Sequence, residues 1–271
     1  MGLPQELVDN TINLLHNDRR SLKACSLTCK SMFASTQHLI HRTLYLTTSN
    51  NLSILTQEER MTVRYQRQGS NDLQLRFLSH MGERGFFKYT QRVYIRMSDK
   101  FTPNTLLPHL HYFQALDQVH TLTIERSDIP TPAWEGHYKT CFVHFHTSLT
   151  SLAIRQPLNG LQFSIHFALQ FPNLENLCLE WLNGRWEGGP GFIIPTNLGH
   201  SPPFRGHLRL AGKETVTQWP EDLVHAIPNG VNFRSVELED FPGFRAARVL
   251  DACAHALEDL TIVPEDLGPC H

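Results

Sequence analysis

The chain has 271 residues, 41% of them hydrophobic and 18% charged, with a formal net charge of -2. That length suits one small module plus one extended domain, and the near-neutral charge excludes a broad electrostatic attraction to nucleic acid as its main business. No stretch approaches the roughly 18 consecutive apolar residues of a membrane helix, and no basic-then-apolar leader opens the chain; a cytoplasmic or nuclear protein is expected, with no membrane and no nucleic acid among its partners.

In chain order, the first elements are two short helices within residues 1 to 42. Pro4 suits a first helical turn, where its missing N–H costs nothing, and Leu7, Thr11, Ile12, Leu14 and Leu15 recur at helical spacing. Asn17 and Asp18 interrupt that pattern and offer caps for a second helix, in which Leu22, Cys25, Cys29 and Phe33 form a second stripe. Leu3, Val8, Leu14 and Leu27 add apolar surface beyond what a two-helix contact can hide. A unit of about 40 residues cannot bury a self-sufficient core, so the surplus predicts a docking face.

The order Leu3-Pro4-x-Glu6-Leu7, Ile12, Leu15, Asp18, Leu22 and Cys25-Ser26-Leu27-x-Cys29-Lys30 resembles the F-box, the helical module that docks on the Skp-type adaptor of cullin-based ubiquitin ligases. The resemblance implies adaptor contacts from Leu3, Pro4, Leu7, Ile12, Leu15, Leu22, Cys25, Leu27 and Cys29. It departs from the family at Thr28, where valine is usual, and at Met32, where tryptophan is frequent. The alternative is an ordinary helical hairpin belonging to the domain that follows.

Residues 43 to 271 predict a ladder of strands. VHTLTI (119 to 124), LTSLAI (149 to 154), LENLCL (174 to 179), FRGHLRL (204 to 210), FRSVEL (233 to 238) and LEDLTI (257 to 262) share one apolar template, a leucine-rich-repeat signature. Leu44-Tyr45-Leu46 and Val93-Tyr94-Ile95 extend it backwards. Leu106, Leu107, Leu110, Phe113 and Leu116 predict a helix before the Leu122 strand; Phe163, Phe167 and Phe171 precede the Leu177 strand, and Phe244, Val249, Leu250 and Cys253 precede the Leu260 strand.

Alternating strands and helices predict an α/β fold: a right-handed solenoid with a parallel sheet and outer helices. Side chains alternate along a strand, so with the Leu, Val and Ile anchors inward a polar concave face remains. Arg92, Tyr94, Arg96, Glu125, Arg155, Glu180, Arg209, Glu237 and Glu239 are its candidate substrate-binding residues. Glu237, Glu239 and Asp259 would suit a basic segment, and Arg92 with Arg96 an acidic one. A merely solvated sheet face is the competing account.

The strings HLIHRTLYL, YFQALDQVHTLTI, FPNLENLCLEWL, FRGHLRL, FRSVELEDF and LDACAHALEDLTI resemble a family of F-box proteins with a divergent leucine-rich-repeat region, abundant in mushroom-forming fungi. The resemblance spans nearly the whole chain and implies a substrate receptor: the F-box holds the adaptor, and through it a cullin, while the solenoid holds an unknown protein substrate. The alternative is a non-catalytic interaction scaffold with a degenerate F-box and no ubiquitin role.

Residues 50 to 72 are polar, and residues 183 to 203 are rich in Gly and Pro with Trp186 and Phe192 among them; the second stretch is a candidate recognition loop. Cys25, Cys29, Cys141, Cys178, Cys253 and Cys270 lack a framework spacing and predict reduced thiols. His137, Cys141, His144 and His146 have helical spacing for metal ligands, but Phe142 and Phe145 interleave with them and favour a partly buried helix. No nucleophile elbow, phosphate loop or zinc helix occurs, so no enzyme activity, cofactor or metal is expected.

Overall fold

The computed structural model describes residues 4–47, 81–97, 110–126, 142–155, 167–181, 205–212, 232–239 and 243–263. The chain divides into two compact units, Met1–His120 and Thr121–His271.

The first unit opens with three helices: α1 (Gln5–Leu14), α2 (Arg19–Ser26) and α3 (Lys30–Ile40). The expected second helix is therefore two. Asp18 caps α2 as predicted, its carboxylate accepting from the Ser21 N–H at 3.0 Å, but the helix stops at Ser26. The Thr28 hydroxyl turns back to the Cys25 carbonyl at 2.7 Å, and Cys29 takes an extended conformation as the N-cap of α3. Leu22, Cys25, Cys29 and Phe33 consequently do not share one stripe: Leu22 is buried, while Cys29 and Phe33 are exposed.

Val8, Ile12, Leu22 and Ile40 form the core of this module, with Leu15, Cys25, Met32 and Leu39 packed against it. Asp9 on α1 accepts hydrogen bonds from Ser35 on α3 and from Gln5, and these bonds hold its carboxyl below the usual range. After α3 the chain enters β1 (Thr43–Thr47), which pairs in parallel with β2 (Arg92–Met97). His41 joins helices to strands: its ring stacks on Phe86 at 4.3 Å, Gln37 bonds it at 2.9 Å, and its carbonyl accepts from the Thr90 hydroxyl at 3.1 Å. Further on, α4 (Leu110–Phe113) buries Phe113 and is followed by buried Leu116; Leu106 and Leu107 lie outside the described residues.

The second unit carries β3 (Thr121–Arg126), β4 (Ser151–Arg155), β5 (Asn176–Trp181), β6 (His207–Gly212), β7 (Ser235–Glu239) and β8 (Asp259–Val263). Each pairs in parallel with the next. All six template segments are thus strands, and Leu122, Leu152, Leu177, Leu208, Val236 and Leu260 stand in one continuous register. The alternation is physical: the branched and leucyl anchors turn to one side, where those of β3 to β7 bury and Leu260 and Ile262 of β8 stay exposed, and the residues between them turn to the other. The result is an α/β arrangement with a parallel sheet.

Successive repeats are tied at the strand entrances by a recurring bifurcated bond. The carbonyl of Thr150 accepts from the N–H groups of Glu175 and Asn176, both at 2.9 Å, and that of Arg234 accepts from Glu258 at 2.7 Å and Asp259 at 3.0 Å. Aromatic side chains lock the intervening turns: Phe142 meets Phe167 edge-on at 5.8 Å, and Phe167 meets Phe171 at 5.1 Å. Among the described residues before β4, a 3-10 turn, Val143–Phe145, follows Phe142, and Phe142 and Phe145 are buried. Helix α5 (Gly243–Cys253) precedes β8 and buries Val249 and Cys253.

Gly206 marks a close approach between successive strand entrances. A Cβ there would stand 1.7 Å from the Glu175 carbonyl oxygen, the same oxygen that accepts from the His207 N–H at 2.7 Å. Only glycine lets β6 draw this near to β5.

Candidate functional site

The helical module leaves large apolar side chains in solvent: Leu7 is 52% exposed, Leu14 83%, Leu27 87% and Phe33 47%. Leu7 and Leu14 are two turns apart on α1 and therefore on one side of it. The face α1 turns inward is instead that of Val8 and Ile12, one position round from Leu7.

This sorts the expected adaptor-binding residues. Ile12 and Leu22 lie in the module's own core, each 1% exposed, so they shape the module and have no surface to offer a partner. Leu15 and Cys25 pack against that core. Pro4, Leu7, Leu27 and Cys29 are exposed; Leu3 lies outside the described residues. Leu14 and Phe33 were not in the expected set, yet they belong to the exposed one, and for Leu14 the signal was its seven-residue spacing from Leu7. Thr28 and Met32 touch, the Thr28 hydroxyl reaching the Met32 sulfur at 2.9 Å. Cys29 accepts or donates at 3.2 Å with the Ser31 hydroxyl, a contact that, with the Met32 N–H, draws its thiol below the ordinary range.

In the second unit the polar side of the ladder holds the other candidates. Ala153, Cys178, Arg209, Glu237 and Thr261 form one row across it, and Glu125, Arg155, Glu180, Ala211, Glu239 and Val263 form another. Charges along these rows pair with one another. Arg155 meets Glu180 at 3.0 Å. Arg209 meets Glu237 at 3.2 Å and also donates to Glu239, which raises its already high pKa. His207 stands 3.6 Å from Glu237 and 2.9 Å from the Ser235 hydroxyl.

Six expected substrate-binding residues, Glu125, Arg155, Glu180, Arg209, Glu237 and Glu239, thus come together on one side of one sheet. Two expectations need correcting. Glu125 is fully buried, across from Arg155 in the register, where a carboxylate persists only when partnered; it offers no surface. Glu237 and Glu239 are both engaged by Arg209, so they are not a free anionic patch for a basic segment.

In the first unit, Tyr94 is also buried rather than displayed, 5.6 Å ring to ring from Tyr45 beside it in the register. Arg92 is exposed, and the Arg96 side chain lies outside the described residues.

Burial pushes the thiols of Cys178 and Cys253 up to about 11, which makes them poor nucleophiles. Both are free, as are Cys25 and Cys29; Cys141 and Cys270 lie outside the described residues. A depression of about 500 Å³ lies at the entrances of β5, β6 and β7, lined by Glu175, Arg205, Gly206, His207 and Arg234 among others. Among the described residues no group of three His, Cys, Asp or Glu is placed to hold a metal; His137 and Cys141 lie outside them, as do residues 50 to 72 and the expected recognition loop at 183 to 203, whose preceding strand ends at Trp181. No described helix is long and apolar enough to cross a membrane.

Comparison of the chain with protein-family models, with curated proteins and with solved structures finds no match.

Proposed function

We propose that the chain is the substrate-recognition subunit of a cullin-based ubiquitin ligase, with the N-terminal helices an F-box and the ladder of parallel strands a leucine-rich-repeat-like solenoid. The observation that carries this is the exposure of Leu7, Leu14, Leu27 and Phe33 on a module whose core is already filled by Val8, Ile12, Leu22 and Ile40. Apolar side chains in such number on so small a unit mark an interaction surface, and the motif around them resembles an F-box.

In this account Leu7, Leu14, Leu27 and Phe33 meet a Skp-type adaptor, while the polar side of the strands, with Arg155, Glu180 and Arg209, meets the protein substrate. The chain supplies no catalytic group and needs no cofactor; ubiquitin transfer belongs to partner subunits. Reconstitution tests it: the full chain mixed with a purified Skp-type adaptor forms a stoichiometric complex on size exclusion, and separate elution contradicts it.

A second account, an interaction scaffold without a ubiquitin role, draws on the mutual contact of Thr28 and Met32, the two departures from the family pattern. It predicts that proteins captured by the strands keep their normal turnover when the adaptor is depleted.

A further inference from the structure

In the first unit, positive charge gathers where the strands begin. Arg42, Gln91 and His120 each stand one residue before a strand, and Arg92 opens β2. The Arg42 carbonyl accepts from the N–H groups of Gln91 at 2.9 Å and Arg92 at 3.0 Å, and the Gln91 carbonyl accepts from His120 at 3.0 Å. These bonds hold the four residues side by side, Arg92 exposed and the others half-buried. Burial and the neighbouring Arg92 charge hold the Arg42 guanidinium below its ordinary pKa; burial, with Arg92 and Arg42, lowers the His120 imidazole.

The second unit treats arginine differently. Arg234, one residue before β7, meets Glu258, one residue before β8, at 3.7 Å, and Arg155 and Arg209 meet glutamates of the next strand. Beside Arg42 the corresponding place holds Gln91, a neutral amide whose Oε1 accepts from the Arg42 Nε at 3.0 Å. That bond orients the guanidinium without cancelling its charge. Neither Arg42 nor Arg92 forms an ion pair among the described residues. Like charges held together cost free energy until an anion joins them.

We propose that Arg42 and Arg92, with His120 beside them, form a binding site for a phosphate dianion, free or as the monoester of a small molecule. One guanidinium fork satisfies both oxygens of a carboxylate, whereas a phosphate has oxygens and charge enough for two. The paired arginines therefore select phosphate, and Gln91 positions one of them. With a formal net charge of -2 the chain has no general attraction for anions, so binding is local to this cluster. It would occur whether or not the N-terminal helices dock on an adaptor.

The test is calorimetric titration of the full chain at constant ionic strength with inorganic phosphate, phenyl phosphate and acetate in turn. Saturable binding of inorganic phosphate is expected, about tenfold or more tighter than acetate. Comparable or tighter binding of phenyl phosphate assigns the site to monoesters, and its exclusion assigns the site to the free ion. Arg92→Gln should weaken phosphate binding about tenfold or more, while Arg234→Gln, which removes an equal charge already paired with Glu258, leaves it unchanged. Absence of saturable binding, equal affinity for acetate, undiminished binding by Arg92→Gln, or an equal loss in Arg234→Gln overturns the proposal.

Discussion

The helical module and the strand face are opposites in how they treat solvent. The module buries Val8, Ile12, Leu22 and Ile40 and still leaves Leu7, Leu14, Leu27 and Phe33 outside, so its surface is unsatisfied in water. The strand face neutralises itself: Arg155 is taken by Glu180, and Arg209 by Glu237 and Glu239. An apolar surface gains free energy from almost any complementary cover, whereas a self-paired charged face must exchange existing bonds for new ones. The first suits constant attachment and the second selectivity, because charge complementarity governs specificity more than raw affinity.

The contrast breaks most visibly at Ile12. Ile12→Asp places a charge in the module's core and should cost about 3 to 5 kcal/mol or the module's fold. Leu7→Asp, half in solvent, should change stability by only about 0.5 kcal/mol. Urea unfolding of the two variants distinguishes a core residue from a surface one; equal destabilisation would contradict the assignment.

Acid should act on the first unit through His41. Burial, with Arg19 and Lys23 adding repulsion, pushes its imidazole down from 6.5 to about 4. The folded state therefore keeps it neutral while the unfolded chain takes up a proton. Its contribution is full above about pH 6.5 and is lost as pH falls through 4, on the order of 2 to 3 kcal/mol in all. The His41→Gln variant should show a flatter pH dependence of its unfolding midpoint across that window than the native chain.

In the second unit, Gly206→Ala forces a methyl group onto the Glu175 carbonyl and should cost about 1 to 3 kcal/mol, read as a lowered thermal midpoint. An unchanged midpoint would mean β6 can retreat from β5 freely. The smallest effect belongs to Arg209→Ala. Its ion pairs are partly exposed, so stability should fall by no more than about 1 kcal/mol, and the loss should shrink further in high salt.

How much of this was legible beforehand differs between the same two regions. The strand ladder was readable because one template repeats and side chains alternate with period two; once Leu122 and Leu152 align, Leu177, Leu208, Val236 and Leu260 have no other register. In α1 the spacing admits two faces, one through Leu7 and Leu14 and one through Val8 and Ile12. Only the packing of α2 and α3 decides between them. The break at Leu27 to Cys29 was hidden because Cys25, Cys29 and Phe33 continue a helical period across it, while the hydrogen bond that ends the helix comes from Thr28, a residue common in many settings. The burial of Glu125 left no mark in the local pattern, since its place in the alternation is that of an exposed residue.

The central claim is that the module's exposed apolar side chains, not its buried ones, hold a Skp-type adaptor. Titration calorimetry of the full chain against that adaptor, with Leu27→Asp as the variant, tests it most directly because Leu27 is 87% exposed and its replacement should leave the fold intact. The account predicts binding by the native chain and loss of about a hundredfold or more in affinity for the variant, since an aspartate desolvated at an apolar interface costs several kcal/mol. Undiminished binding by a folded Leu27→Asp chain, or no binding by the native one, would contradict it.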